Sequence, residues 1–265
     1  MKSLPARTRV ASATSSSNLH QEESRGEKQG VQRALAAGAP PVIAKPARNA
    51  MSGRYIVVEG PIAVGKTSLA ERLADALGAR LMLEEGEENP FLRKFYESPE
   101  KYAFAAQIFF LLSRYRQQSE LAQRDLFEQA MVADYFFAKD QIFARLNLDA
   151  DEYALYQQIY RLLDARVVRP DLVVYLEARG DVLTRRMRRR DRDYERRIAP
   201  VYLERVAEAY RQFFYHYTES PLLVVQSSDI DFVARPADLD ALLKEIRTMK
   251  KGVQHYVPRG SRASR

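Results

Sequence analysis

An α/β fold of the P-loop NTPase type is predicted: a five-stranded parallel sheet with helices over both faces. Three observations carry that expectation. Short apolar runs alternate with helical stretches, a glycine-rich loop joins the first run to the first helix, and Cys 0 excludes a disulfide framework. The first run, YIVV at 55–58, is short and β-rich and leads through the loop into a helix over 66–77. ARLMLE at 79–84 reads as the second strand, and 99–124 as a long helix whose apolar residues extend beyond one stripe. Such a helix suits burial in an oligomer interface. AMVADY at 130–135 is the third strand, followed by a helix over 153–168. DLVVYLEA at 171–178 is wholly apolar in its centre, as a strand buried on both faces must be. Helices over 181–189 and 200–217, a strand at 221–225 and a helix over 236–248 complete the alternation. Strands separated by helices require right-handed crossovers.

Composition narrows the function. Three histidines and no cysteine argue against a zinc site, and no run of about 18 apolar residues is present to span a membrane. A cytoplasmic setting is the default. The net charge of +7 resembles a nucleic-acid signal, but its distribution argues otherwise. Residues 1–50 carry eight Lys/Arg against three Glu, and the chain from Lys250 carries five Lys/Arg and no acid, which leaves 51–249 at −3. The expected domain, 51–250, is therefore mildly acidic, and no nucleic-acid partner is expected. Residues 1–50, rich in Ser, Ala, Arg and Pro without an aromatic, are expected to be disordered. They read as a tail, as a targeting segment, or as sequence preceding a true start at Met51. Residues 251–265 read as a basic disordered tail.

Gly60-Pro61-Ile62-Ala63-Val64-Gly65-Lys66-Thr67 matches GxxxxGK[ST] at every fixed position, with Ser68 following. Glycines let the backbone wrap a phosphate group, its N–H groups point inward, and the helix N-terminus adds positive potential. Lys66 is the cation for the β- and γ-phosphates of ATP, and the Thr67 hydroxyl is a ligand for Mg²⁺. Neither NKxD nor DxxG follows, so a small acceptor is favoured over a GTPase switch. Transfer to a hydroxyl needs a base, and Glu84 stands at the end of the second strand, at the carboxyl edge where ligands bind.

Several ordered motifs from about Tyr55 to Phe232 resemble the deoxynucleoside kinase family, and within it the bacterial deoxyadenosine/deoxyguanosine kinases. EGPIAVGKTSLA resembles its phosphate loop, and EEGEENPFLRKFY resembles its E-x-x-[ED]-[ED]-N-P-[YF] segment, whose first glutamate is the base. The resemblance places that base on Glu84. It implies Tyr96 for the sugar 3′-hydroxyl and Gln107 for the base edge. It also implies an Arg114–Asp140 pair at the base. The basic run RRMRRRDRDYERR corresponds to the lid, with Arg186, Arg190 and Arg192 clamping phosphates and Arg186 and Arg190 assisting catalysis. Glu204 in VYLERV is matched to a glutamate that shares the 3′-hydroxyl with the tyrosine, and Asp231-Phe232 to a loop over the adenine of ATP. One departure stands out: the family has Glu-Arg or Asp-Arg after the third strand, and this chain has Asp134-Tyr135. Asp134 retains a role toward Mg²⁺ or the 5′-hydroxyl, but Tyr135 carries no guanidinium charge, which leaves the source of that cation open. The resemblance implies ATP-dependent phosphorylation of a deoxynucleoside, purine favoured, by a homodimer. A nucleoside monophosphate kinase such as thymidylate kinase, or a non-catalytic nucleotide-binding subunit, are the alternatives.

Overall fold

The computed structural model describes residues 53–84, 88–122, 129–164, 166–190, 192–193, 195–232 and 234–258. The expectations for 1–50, for a start at Met51 and for the last part of the tail fall outside these residues. In chain order the elements are β1 (Tyr55–Glu59), α1 (Lys66–Leu77), β2 (Arg80–Met82), α2 (Leu92–Glu97), α3 (Pro99–Ala122), β3 (Met131–Ala133), α4 (Asp140–Asn147), α5 (Ala150–Asp164), β4 (Leu172–Glu177), α6 (Gly180–Arg190), α7 (Pro200–Tyr215), β5 (Leu222–Gln226), α8 (Pro236–Thr248) and β6 (Val253–Tyr256). Short 3-10 turns lie at Phe137–Lys139 and Glu195–Arg197.

All described strand pairs are parallel, in the order β2-β3-β1-β4-β5-β6. The sheet thus has six strands where five are predicted. The sixth, Val253–Tyr256, falls inside the stretch predicted to be a basic tail. It is held mainly by backbone pairing to β5, starting with the Leu222 N–H donating to the Gly252 carbonyl at 2.9 Å. Its side chains alternate between exposed and half-buried, so neighbouring lysines and a polar VQHY sequence hide it from a hydrophobicity reading.

Alternation along β1 builds two cores. Ile56 and Val58 face one layer with Leu69 and Leu73 of α1 and Leu242 and Ile246 of α8. Tyr55 and Val57 face the other, with Tyr210 and Phe214 of α7. Each fully buried aliphatic side chain contributes about 1.5–3 kcal/mol relative to exposure. A third cluster joins α3 to α4 and α5 through Leu111, Ala144 and Tyr156. The order matters for function. β1 lies between β3 and β4, so chain progression reverses direction across the sheet there, and ligands bind at the carboxyl ends of strands around such a switch.

Candidate active site

The phosphate loop leaves β1 at this switch. Gly60 has φ +152, and a Cβ there would lie 2.5 Å from the Leu176 carbonyl oxygen of β4, so only glycine lets the loop start so close to the sheet. Gly65, at φ +107, turns the chain into α1 without a side-chain cap, which leaves the first-turn N–H groups for an anion. Ala63 is the one non-glycine with positive φ among the described residues, at φ 63. Pro61 and Val64 are buried, Ile62 and Ala63 half-buried, and Thr67 and Ser68 exposed at the head of α1. Lys66 folds back over the loop and donates to the carbonyls of Gly60 at 2.9 Å and Pro61 at 3.2 Å. Burial, aided by the nearby charge of Lys139, pushes its ammonium pKa down.

Two further segments converge on Thr67. Its hydroxyl donates to Asp134 Oδ2 at 2.5 Å, just past β3. The other oxygen, Oδ1, accepts the backbone N–H of Glu84 at 2.7 Å. β2 and β3 are shorter than predicted because the chain turns into these polar contacts once past Met82 and Ala133. The Glu84 carboxylate is then held from two sides. Oε1 accepts Arg114 Nε at 3.0 Å and Nη2 at 2.5 Å, and Oε2 accepts Lys139 Nζ at 2.8 Å. Burial alone would raise the Glu84 pKa, but the charges of Lys139 and Arg114 outweigh it and hold the group well below the usual carboxylate range. Arg114 is itself fixed by an ion pair with Asp140, whose second oxygen accepts the Tyr156 hydroxyl at 2.9 Å. Gln107, two turns before Arg114 on the same face of α3, donates to the Asp140 carbonyl at 3.0 Å. Lys66, Thr67, Glu84, Arg114, Asp134 and Asp140 thus belong to one connected neighbourhood, with Gln107 at its rim.

The remaining predicted residues divide. Tyr96 is half-buried in a cluster with Ile62 and Ala63 of the phosphate loop and Met187 and Ile198 of the lid. Arg186 reaches the loop too, donating to the Val64 carbonyl at 2.9 Å and the Ser227 carbonyl at 2.8 Å, so here it straps the loop to the segment after β5. Arg190 pairs with Glu195 at 3.4 Å, and Arg192 lines the same lid groove as Glu195. Phe232 and Glu204 have other surroundings. Phe232 lies in the α1/α8 core, because an aromatic ring so close to that layer gains more from burial than from solvent; Asp231 beside it is exposed. Glu204 is exposed on α7, packed against Gly180 in a groove lined by Arg185, Arg188 and Arg189.

A model described as deoxynucleoside kinase matches residues 56–251, all of the alternating α/β region up to the start of β6. The chain belongs to the deoxynucleoside kinase family. Its relatives include a deoxyguanosine kinase of Bacillus subtilis, 32% identical over 74% of this chain and 97% of the relative. A deoxyadenosine kinase of Dictyostelium discoideum is 32% identical over 63% of this chain and 69% of its own length. Among solved structures, deoxyadenosine kinase from M. mycoides with bound dATP superposes with TM-score 0.65 at 23% identity, covering 74% of this chain and 100% of that one. That likeness establishes the shared fold.

In this deoxynucleoside kinase, three charged residues join the site that the sequence reading did not single out. Glu59, fully buried at the end of β1, accepts the Gly60 N–H at 2.8 Å, the Phe136 N–H at 3.0 Å and the Tyr210 hydroxyl at 3.1 Å. It fixes the start of the phosphate loop to the segment after β3. Lys139, 3% exposed, ends the 3-10 turn held by that same segment. Glu195 is buried in the lid, on the turn leading to Ile198 and the Tyr96 cluster. The one available sequence signal for Glu59 was its position immediately before the glycine loop. A lone lysine and one acid within an Arg/Asp/Glu run carried none.

Proposed function

We propose that this kinase transfers the γ-phosphoryl group of ATP to the 5′-hydroxyl of a purine deoxynucleoside. The observation that carries the reading is Asp134, which accepts both the Thr67 hydroxyl and the Glu84 backbone N–H and so brings Glu84 to the mouth of the phosphate loop. In the step, the 5′-oxygen bonds to the γ-phosphorus, the bond to the ADP oxygen breaks, and the hydroxyl proton passes to Glu84. Thr67 and Asp134 are hard oxygen donors side by side. Mg²⁺ takes one or two such protein ligands and fills its shell with phosphate and water, so the pair fits it. When bound there, Mg²⁺ would neutralise charge on the β- and γ-phosphates. Lys66 holds the same oxygens from the loop side, and Gln107 and the Arg114–Asp140 pair form the wall for the base.

The preference for purines follows the relatives named for deoxyguanosine and deoxyadenosine, while a Bacillus subtilis relative at 28% identity is named for deoxyadenosine and deoxycytidine. A monophosphate acceptor fits less well. The cations beside strands two and three, Arg114 and Lys139, are already committed to carboxylates. A homodimer through α3 and α5 suits Leu112, Leu155 and Leu162, which are left 45%, 48% and 74% exposed. No helix among the described residues is long and apolar enough to cross a membrane, and a cytoplasmic setting suits a nucleoside salvage enzyme. A coupled assay with ATP against deoxyguanosine, deoxyadenosine, deoxycytidine and dTMP tests the reading. The purine nucleosides should give the highest kcat/KM; turnover of dTMP alone would make it a monophosphate kinase, and none at all a binding subunit.

For the sugar 3′-hydroxyl, Glu195 takes the role expected of Glu204, because it is the lid carboxylate on the buried side with the Tyr96 cluster. Glu195→Gln should raise KM for deoxynucleoside and lower kcat/KM by about tenfold or more, the scale of one lost charged hydrogen bond. Glu204→Gln should leave both constants within about twofold. The reverse ranking would return the role to Glu204.

A further inference from the structure

Position 135 supplies no charge to the transfer centre. Tyr135 is fully buried, its hydroxyl 3.6 Å from Met82 Sδ against β2. Yet a second cation is present. Lys139 is 3% exposed, and its ammonium lies 2.8 Å from Glu84 Oε2 and 3.8 Å from Glu59 Oε2. An ammonium taken out of water is costly unless it is paired and hydrogen-bonded, and here both carboxylates supply that pairing. The turn that carries it is deliberately placed, since Glu59 accepts the Phe136 N–H and the Lys139 N–H donates to the Phe136 carbonyl at 3.1 Å. The same carboxylate also holds the first glycine of the phosphate loop, which couples the position of Lys139 to the loop.

The two cations on Glu84 are not equivalent. Arg114 is clamped by Asp140 and lies 4.8 Å from the centre of the Phe110 ring, so its grip on Oε1 is rigid. Lys139 has a single ammonium on a flexible stem and a second carboxylate within reach. Oε2 is therefore the oxygen that can be released to an acceptor hydroxyl, and Lys139 is the group that releases it. We propose that Lys139 is the positioning cation of the transfer centre, holding Glu84 Oε2 and yielding it to the acceptor, in place of the charge that Tyr135 does not provide. This rests on Glu84 acting as the base.

The test compares kcat and KM for Lys139→Met, Lys139→Gln, Lys139→Arg, Glu84→Gln and the Glu84→Gln/Lys139→Met pair, with Tm as the check on folding. Lys139→Met should lower kcat about a hundredfold, as loss of a preorganised charge does, with KM for ATP and nucleoside within about threefold. Lys139→Arg should recover kcat to within about tenfold of wild type. The pair should be no more than about threefold slower than Glu84→Gln alone, because both changes act through one carboxylate. Lys139→Gln keeps amide donors for both carboxylates, so it reads loss of charge even where the methionine variant does not fold. Near wild-type kcat in a folded Lys139→Gln or Lys139→Met, alongside an impaired Glu84→Gln, overturns the proposal and leaves the base assignment standing. A Glu84→Gln enzyme of wild-type rate overturns the base assignment itself.

Discussion

Lys66→Ala is expected to abolish useful turnover, with kcat falling about a hundredfold or more, while the fold persists. Lys66 is a half-buried ammonium whose present partners are the Gly60 and Pro61 carbonyls of its own loop. The stability lost is on the order of one or two hydrogen bonds, about 1–2 kcal/mol, and Tm should move by several degrees. Catalysis loses more. Charge accumulates on the transferring phosphoryl oxygens, and a fixed cation in a dry loop is worth about 10²–10³ in rate. Steady-state kinetics beside a thermal melt check both halves. A variant keeping more than a few per cent of kcat would remove Lys66 from the chemistry.

Glu84→Gln is the second large effect expected, in kcat and not in KM. Glutamine preserves shape and can still hydrogen-bond an acceptor hydroxyl, but it cannot take the proton. The loss should fall within the range of about 10²–10⁴ typical of general bases. Stability will also change, because the substitution leaves the buried cations Arg114 and Lys139 short of one carboxylate. Arg114 keeps Asp140 and Lys139 keeps Glu59 within reach, which limits the damage. Glu88, exposed on the following segment, is the control: Glu88→Gln should be indistinguishable from wild type. Glu85 and Glu87 lie outside the described residues.

The parts legible in sequence are those where burial imposes a simple pattern. β1, β4 and β5 are apolar runs up to their last residue, and their predicted bounds fall within a residue or two of those observed. α1 begins at Lys66 and ends at Leu77 as predicted, since the glycine loop before it and Gly78 after it punctuate the chain. Legibility fails where a residue's environment comes from far along the chain. Lys139 is buried only because Glu59, 80 positions earlier, and Glu84, 55 earlier, meet it in the fold, and nothing local distinguishes it from a surface lysine. Glu195 sits on a short turn within a run of charged residues and Glu204 on the next helix, and neither stretch marks locally which of the two carboxylates is buried. α2 and α4, of 6 and 8 residues, are too short to register a helical period. β6 is polar and edge-paired, and its stability comes from backbone bonds that composition does not report.

Segments after β1, β2 and β3 are proposed to form one centre that moves a phosphoryl group from ATP to a nucleoside hydroxyl. The most direct measurement is a rapid-quench single turnover with γ-labelled ATP, magnesium and saturating deoxyguanosine, run on wild type and Glu84→Gln. Label is expected on the 5′-oxygen of the nucleoside in the wild type, dependent on acceptor. In the variant the chemical step should be slowed at least about a hundredfold with unchanged nucleoside affinity. Label released to water regardless of acceptor, or transfer by Glu84→Gln at the wild-type rate, would contradict it.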